Sequence, residues 1–283
     1  MRILFVAYIR THFRALAWQA EWLKTNGQQV SFYFATKYQG WSEDAKVATG
    51  LGLTAVAFDG CVVGNSERTL WHGRKEPTAF PARSYVGCLL KFRAVKQFYH
   101  ALFAGLKPDV IVLPEENVGY LTQLLVKQGQ ACGAGVAVMP YTIDNPVEAA
   151  EAHLQNTAYI VRGGLRRLFS EKHPQWMFEH KGVRLLRLPF PAVAVMQFMG
   201  FAPAKPWQNL CSFADVVLVE CEALCVPHAV TSVDVGRLRV TGSCTLDKLA
   251  AVKRDAVAMR SALLAELGID PAKPVFLAAI PPE

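Results

Sequence analysis

The 283-residue chain is 52% apolar with a formal net charge of +7, which supplies ample material for a packed core and suits an anionic ligand such as a nucleotide diphosphate, or an anionic membrane surface. The seven cysteines are odd in number and irregularly spaced, which excludes a disulfide framework and offers no zinc-ligand spacing; they read as reduced, mostly buried thiols of a cytoplasmic protein. The opening apolar run is too short for a signal peptide, the most apolar later stretch (Leu185 to Phe201) carries Arg187 and two prolines and so excludes a membrane-spanning helix, and no basic-aromatic module for nucleic acid stands out.

Arg2 to Tyr8 is a continuous apolar run. A strand without polar alternation is buried on both faces, as in a parallel sheet covered by helices. Ile9 to Phe13 interrupts it, then Leu16, Ala20 and Leu23 recur at helical spacing and Gly27 closes the helix. Val30 to Ala35 is the second strand, which completes a βαβ unit. In such sheets ligands sit beyond the carboxyl ends of the strands, so Arg10, Thr11 and His12 fall on the functional edge.

Thr54 to Phe58 reads as a third strand, and Gly60 to Pro81 as a long irregular loop of the kind that is functional or disordered. Ser84 to Leu106 is a helix, with Tyr85, Leu89, Phe92, Val95, Tyr99, Leu102 and Leu106 on one stripe. Asp109 to Leu113 is a buried strand that leads directly into Pro114-Glu115-Glu116-Asn117. A helix over Val118 to Gln128 follows, then a strand over Val136 to Met139 that runs out towards Asp144. Asn145 caps a further helix whose first residue is Pro146.

Residues 162 to 210 read as short helices and loops, with seven Lys/Arg between Arg162 and Arg187 against Glu171 and Glu179. Ala214 to Glu220 and Arg237 to Thr241 are strands, the latter ending in Gly242-Ser243. One long helix is expected over Leu246 to Leu267, and Pro274 to Ile280 begins another strand. The fold expected is α/β, Rossmann-like, with helices on both faces of a mainly parallel sheet of six or seven strands and Met1 to Tyr8 in its interior.

Two segments carry a family resemblance. Lys107-Pro108-Asp109-Val110-Ile111-Val112 is one. The sharper is Phe213 to Val219, then Arg239-Val240-Thr241-Gly242-Ser243, Leu246-Asp247 and Leu267-Gly268-Ile269-Asp270. Together they resemble the N-terminal domain of the GT-B glycosyltransferase superfamily, which includes nucleotide-sugar transferases, polyol-phosphate polymer transferases and UDP-N-acetylglucosamine 2-epimerases. The resemblance implies that residues 1–273 are a single acceptor-side half-domain. It makes 274–283 the linker and first strand of a missing C-terminal domain that holds the nucleotide-sugar donor, a co-substrate rather than a cofactor. It also implies transfer of a sugar or sugar-phosphate in surface-polysaccharide synthesis, onto a glycan or lipid-linked acceptor. The alternatives are a non-catalytic binding module and a 2-epimerase-like enzyme. The family's usual Gly-rich loop after the first strand is replaced by Tyr8-Ile9-Arg10-Thr11-His12, which has no glycine.

Transfer to a hydroxyl needs a general base and stabilisation of a departing diphosphate. Candidate catalytic residues are His12, Glu115, Glu116 and Asp144; candidate donor contacts are Arg10, Thr241, Gly242 and Ser243, and no metal ligand is expected. His12 is the favoured base because histidine titrates near neutrality. Its plainer reading is a helix-capping or loop-bonded histidine. Arg10 offers a planar fork to phosphate oxygens or makes a surface ion pair. Glu115 and Glu116 are adjacent in an extended segment, so they point opposite ways and one faces the cleft; helix-dipole charges are the alternative. Asp144 also reads as a turn residue and Ser243 as a helix cap. The basic segment Arg162 to Arg187 is either a solvated face or a contact for an inner membrane surface.

Overall fold

The structure, a computed structural model, describes residues 1–73, 84–141, 145–209, 213–231 and 234–270. The chain divides into two compact units, Met1–Thr241 and Gly242–Glu283.

The first unit holds strands β1 (Arg2–Ala7), β2 (Gln29–Phe34), β3 (Thr54–Val56), β4 (Cys61–Val62), β5 (Asn65–Thr69), β6 (Val110–Leu113), β7 (Gly135–Val138), β8 (Met177–His180), β9 (Val183–Leu186), β10 (Val216–Val219) and β11 (Leu238–Val240). Its helices are α1 (Arg10–Thr25), α2 (Trp41–Gly50), α3 (Tyr85–Leu106), α4 (Thr122–Ala131), α5 (Pro146–His153), α6 (Leu165–Lys172), α7 (Phe190–Phe198) and α8 (Glu222–Thr231).

Nine strands form one sheet in the order β11-β10-β7-β6-β1-β2-β3-β4-β5. The seven from β11 to β3 are mutually parallel, and β1 pairs with β2 on one side and β6 on the other. The sheet therefore has two strands beyond the upper figure of the six or seven that the pattern suggested. Both come from the stretch read as an irregular loop: β4 and β5 run antiparallel and extend the β3 edge. Trp71 to Gly73 follow them, and the rest of that stretch lies outside the described residues.

The apolar run of β1 is buried on both faces because each face has its own core. Leu4, Val6 and Tyr8 pack with α3, α4 and α7 through Phe92, Phe98, Leu102, Leu125 and Val193. Ile3, Phe5 and Ala7 pack with α1 and α2 through Phe13, Leu16, Ala45 and Ala48. Burying one large apolar side chain is worth roughly 1.5–3 kcal/mol, so a register slip in β1, which would exchange the two sets, is strongly disfavoured.

Local signals behave as their chemistry dictates. Ser84 caps α3 by accepting from Gly87 N at 3.1 Å, and Asn145 caps α5 by accepting from Val147 N at 3.1 Å. Only Tyr8 and Ile9 separate β1 from helix α1, which starts at Arg10, with Ile9 extended at φ −141°; Arg10 and His12 thus sit in its first turn. Residues 162–210 include an unforeseen antiparallel pair, β8 and β9, joined through Lys181 and Gly182, both at positive φ (52° and 71°).

Of the five cysteines described, Cys88 alone is buried, while Cys132 and Cys221 are exposed; the expectation of mostly buried thiols does not hold for these. Among the described residues no helix is long and apolar enough to cross a membrane.

The second unit contains α9 (Cys244–Arg254) and α10 (Ala256–Glu266). The single helix expected here is broken at Asp255 (φ −103°, ψ 11°), a residue type that favours caps over helix interiors. Residues 271–283, where a further strand was expected, lie outside the described residues.

Candidate functional site

A cavity of about 410 Å³ opens at the carboxyl edge of the parallel sheet. Its wall takes Ile9 from the end of β1, Glu115, Asn117 and Tyr120 from the segment after β6, and Tyr141 after β7. Asn145 and Glu148 come from the start of α5, with Arg187 and Asn209 from the flank. Parallel strands present their carboxyl ends to one side, which is why loops distant in sequence meet here.

Glu115 and Glu116 diverge, as their extended backbone requires. Glu115 is 7% exposed and lines the cavity. Its Oε1 lies 3.6 Å from His12 Nε2 and 3.4 Å from Asn117 Nδ2. Glu116 turns away: its carboxylate accepts from Phe213 N at 3.0 Å and Ala214 N at 2.6 Å. The Glu116 backbone N–H donates to Asn209 O at 2.9 Å. Glu116 thereby anchors the chain that enters β10.

His12 is fully buried beneath the Tyr141 ring, whose centroid is 4.6 Å away. Its Nδ1 accepts from Tyr8 N at 3.3 Å. An imidazole that accepts at Nδ1 carries its proton on Nε2, so the nitrogen facing Glu115 is a donor. Burial lowers the His12 pKa from 6.5 to about 4, so the ring is neutral at pH 7. The Nε2–H therefore points towards Glu115 Oε1, 3.6 Å away. Glu115 also lies beside the first turn of α1, where the helix dipole favours negative charge. Burial, and then the Glu115 charge, push the Tyr141 phenol up to about 12; Tyr120 rises for the same reasons. Both phenols stay protonated donors at neutral pH.

Arg187 is 7% exposed. Its guanidinium lies 5.7 Å over the Trp207 ring, donates to Asn117 Oδ1 at 3.4 Å and Asn209 Oδ1 at 3.3 Å, and meets His153 Nε2 at 3.4 Å. Burial, then the Arg187 charge, lower the His153 pKa to about 4. Sequence reasoning placed Arg187 in a basic face. The cation inside Leu185-Leu186-Arg187-Leu188, a run otherwise apolar, was used only against a membrane span, although a lone cation in such a run also points to a buried, partnered one. Arg162, Arg167, Lys172, Lys181 and Arg184 of that segment are exposed, and Arg167 pairs with Glu171 at 3.0 Å and Lys181 with Glu151 at 2.6 Å.

Arg10 and Thr241 are not among the residues that line this cavity. The Arg10 guanidinium pairs with Glu43 at 3.0 Å and Asp44 at 3.4 Å, both on α2. Gly40 (φ 83°) permits this, since a Cβ there would lie 2.9 Å from Arg10 Nη1. Two carboxylates therefore answer the charge once considered for a diphosphate. Thr241 follows β11, and its N–H donates to Val219 O at 2.9 Å. Gly242 (φ 85°) and Ser243 belong to the second unit, where Ser243 caps α9 by accepting from Leu246 N at 3.4 Å. Asp144 lies outside the described residues. Among the described residues no cluster of three or more His, Cys, Asp or Glu is placed to hold a metal ion.

No family model matches the chain, and no curated protein matches it. Among solved structures it is similar to the UDP-GlcNAc 2-epimerase from Neisseria meningitidis bound to UDP-GlcNAc (10% identity, TM-score 0.43, over 92% of this chain and 52% of that one). It is also similar to the UDP-GlcNAc 2-epimerase from Methanocaldococcus jannaschii (10%, 0.40, 93% and 53%) and to the glycosyltransferase of kitacinnamycin (13%, 0.41, 86% and 51%). These are a glycosyltransferase and two 2-epimerases. The chain spans about half the length of each.

Proposed function

We propose that this chain is the acceptor-side half of a GT-B glycosyltransferase that moves a sugar or sugar-phosphate from a nucleotide donor to a hydroxyl of a glycan acceptor. The observation that carries the reading is the Glu115–His12 pair at the carboxyl edge of the sheet, with Glu115 lining the cavity and His12 buried behind it. Glu115 is the general base. It takes the acceptor hydroxyl proton as the new glycosidic or phosphodiester bond forms, and the nucleotide leaves with the bonding pair. His12 Nε2–H aims the carboxylate. The distance of 3.6 Å suits a site without substrate, since catalytic hydrogen bonds tighten when substrate binds. Tyr120, Tyr141 and Asn145 supply a ring surface and polar groups suited to a sugar.

In this reading the donor is bound by a second Rossmann-like domain that begins at about residue 274, and the basic segment from Arg162 to Arg184 lies along an inner membrane surface that supplies a lipid-linked acceptor. The test compares nucleotide-sugar turnover by the 283-residue chain and by the same chain joined to a following donor domain. Turnover in the joined form alone supports the division of labour; full turnover by the 283 residues refutes it. Release of a transferred rather than an epimerised sugar distinguishes the transferase from the 2-epimerase reading.

A further inference from the structure

The amino-terminal edge of the sheet, opposite the Glu115 cavity, holds a second cavity of about 240 Å³. Three cations line it: Arg2 at the start of β1, Lys24 in the last turn of α1 and Arg68 on β5. Arg2 is committed to Asp109 at 2.8 Å. Lys24 and Arg68 make no ion pair among the described residues. Ser31 and Thr54, direct partners in the β2–β3 register, bring two neighbouring hydroxyls to the same wall, and Gln29 adds an amide. Lys24 Cε lies 3.6 Å from the Cβ position of Gly52, so the lysine stem reaches across the turn into β3 rather than out from the helix.

We propose that this cavity is a binding site for a small oxyanion of the phosphate or phosphomonoester class, held by Lys24 and Arg68 over the Ser31 and Thr54 hydroxyls. The volume is below the roughly 300–1,000 Å³ that drug-sized ligands occupy, which fits a single phosphoryl group with a small substituent. The donor set is uniform: two cations and two hydroxyls supply charge-assisted and neutral hydrogen bonds to oxygen acceptors, and Asp109 is already spent on Arg2. A dipole role for Lys24 at the end of α1 accounts for that lysine alone, not for Arg68 or the paired hydroxyls. The site is independent of the Glu115 cavity and of the transferase reading.

The 283-residue chain is titrated calorimetrically with inorganic phosphate and with glycerol phosphate in chloride buffer at constant ionic strength. One-to-one binding is expected, weakened roughly tenfold by Lys24→Gln and by Arg68→Gln, the scale of one lost charge-assisted contact, and unchanged by Glu115→Gln. Both substituted side chains are solvent-accessible, so the fold is retained. Tighter inorganic phosphate would identify the free ion as ligand; tighter glycerol phosphate would identify a phosphorylated small molecule. Saturable binding of neither, or binding that both Gln variants leave within twofold, overturns the proposal.

Discussion

The guanidinium of Arg187 donates to Oδ1 of Asn117 across 70 residues of chain, which ties the end of the β8–β9 hairpin to the segment after β6. The same guanidinium meets His153, and its charge helps keep that imidazole neutral. Arg187→Met should therefore raise the His153 pKa above about 4, which an NMR titration of the ring protons reads directly. Arg187→Lys, a point charge in place of a planar fork, cannot reach Asn117, Asn209 and His153 together and should cost about 1–2 kcal/mol of stability in urea denaturation. A His153 titration unmoved in Arg187→Met would separate the two residues.

Glu115→Gln keeps shape and removes basicity. In the chain joined to a donor domain, turnover should fall by roughly 10²–10⁴-fold, the usual effect of a lost general base, with little change in acceptor binding. His12→Asn keeps an acceptor near the Nδ1 position and removes the Nε2 donor; its turnover loss should be smaller. The reverse ranking would return the base role to His12.

Glu116 offers the converse result. Glu116→Ala leaves the N–H groups of Phe213 and Ala214 without this carboxylate, at about 1–3 kcal/mol for each buried donor. Stability should drop by roughly 2–6 kcal/mol by that scale, whereas Glu115→Gln should barely move the denaturation midpoint. Equal effects from the two substitutions would contradict their opposite orientations.

His12 also sets a pH dependence. Its folded pKa of about 4 lies below the ordinary 6.5, so between those values the unfolded chain binds the proton and the folded one resists it. Stability is accordingly full above pH 6.5 and declines as pH falls towards 4, by up to about 3 kcal/mol for a shift of this size. Urea midpoints at pH 7 and pH 4.5 measure the decline. It should shrink in His12→Asn; an unchanged slope would place the effect on other groups.

The strands of the parallel sheet were legible because two buried faces leave a continuous apolar signature, seen in β1, β6 and β10. The chain neighbours Glu115 and Glu116 were separable on backbone alternation alone, although which one faced the cavity was not. The β4–β5 and β8–β9 pairs escaped notice because their strands are short and carry Asn65, Ser66, Glu67, Glu179 and His180 in place of an apolar alternation, and Lys181 is an unusual residue at positive φ. The tautomer of His12 depends on the Tyr8 N–H, a backbone contact that no side-chain pattern announces. Arg10 was read for its charge. Its destination on Glu43 and Asp44 rests on the space left by Gly40, which only coordinates reveal.

The interior place of β1 has a consequence for synthesis. Its first neighbour, β2, begins at Gln29, but its second, β6, begins at Val110, 103 positions after Ala7. On a ribosome adding about 5–20 residues per second, that interval is roughly 5–20 s. Throughout it the β6-facing edge of β1 is an unpaired row of N–H and C=O groups, and Leu4, Val6 and Tyr8 await α3 and α4. Such an edge is a template for any other extended chain. The nascent amino-terminal third is thus a natural client for a chaperone that shields apolar strands until Val110 to Leu113 emerge.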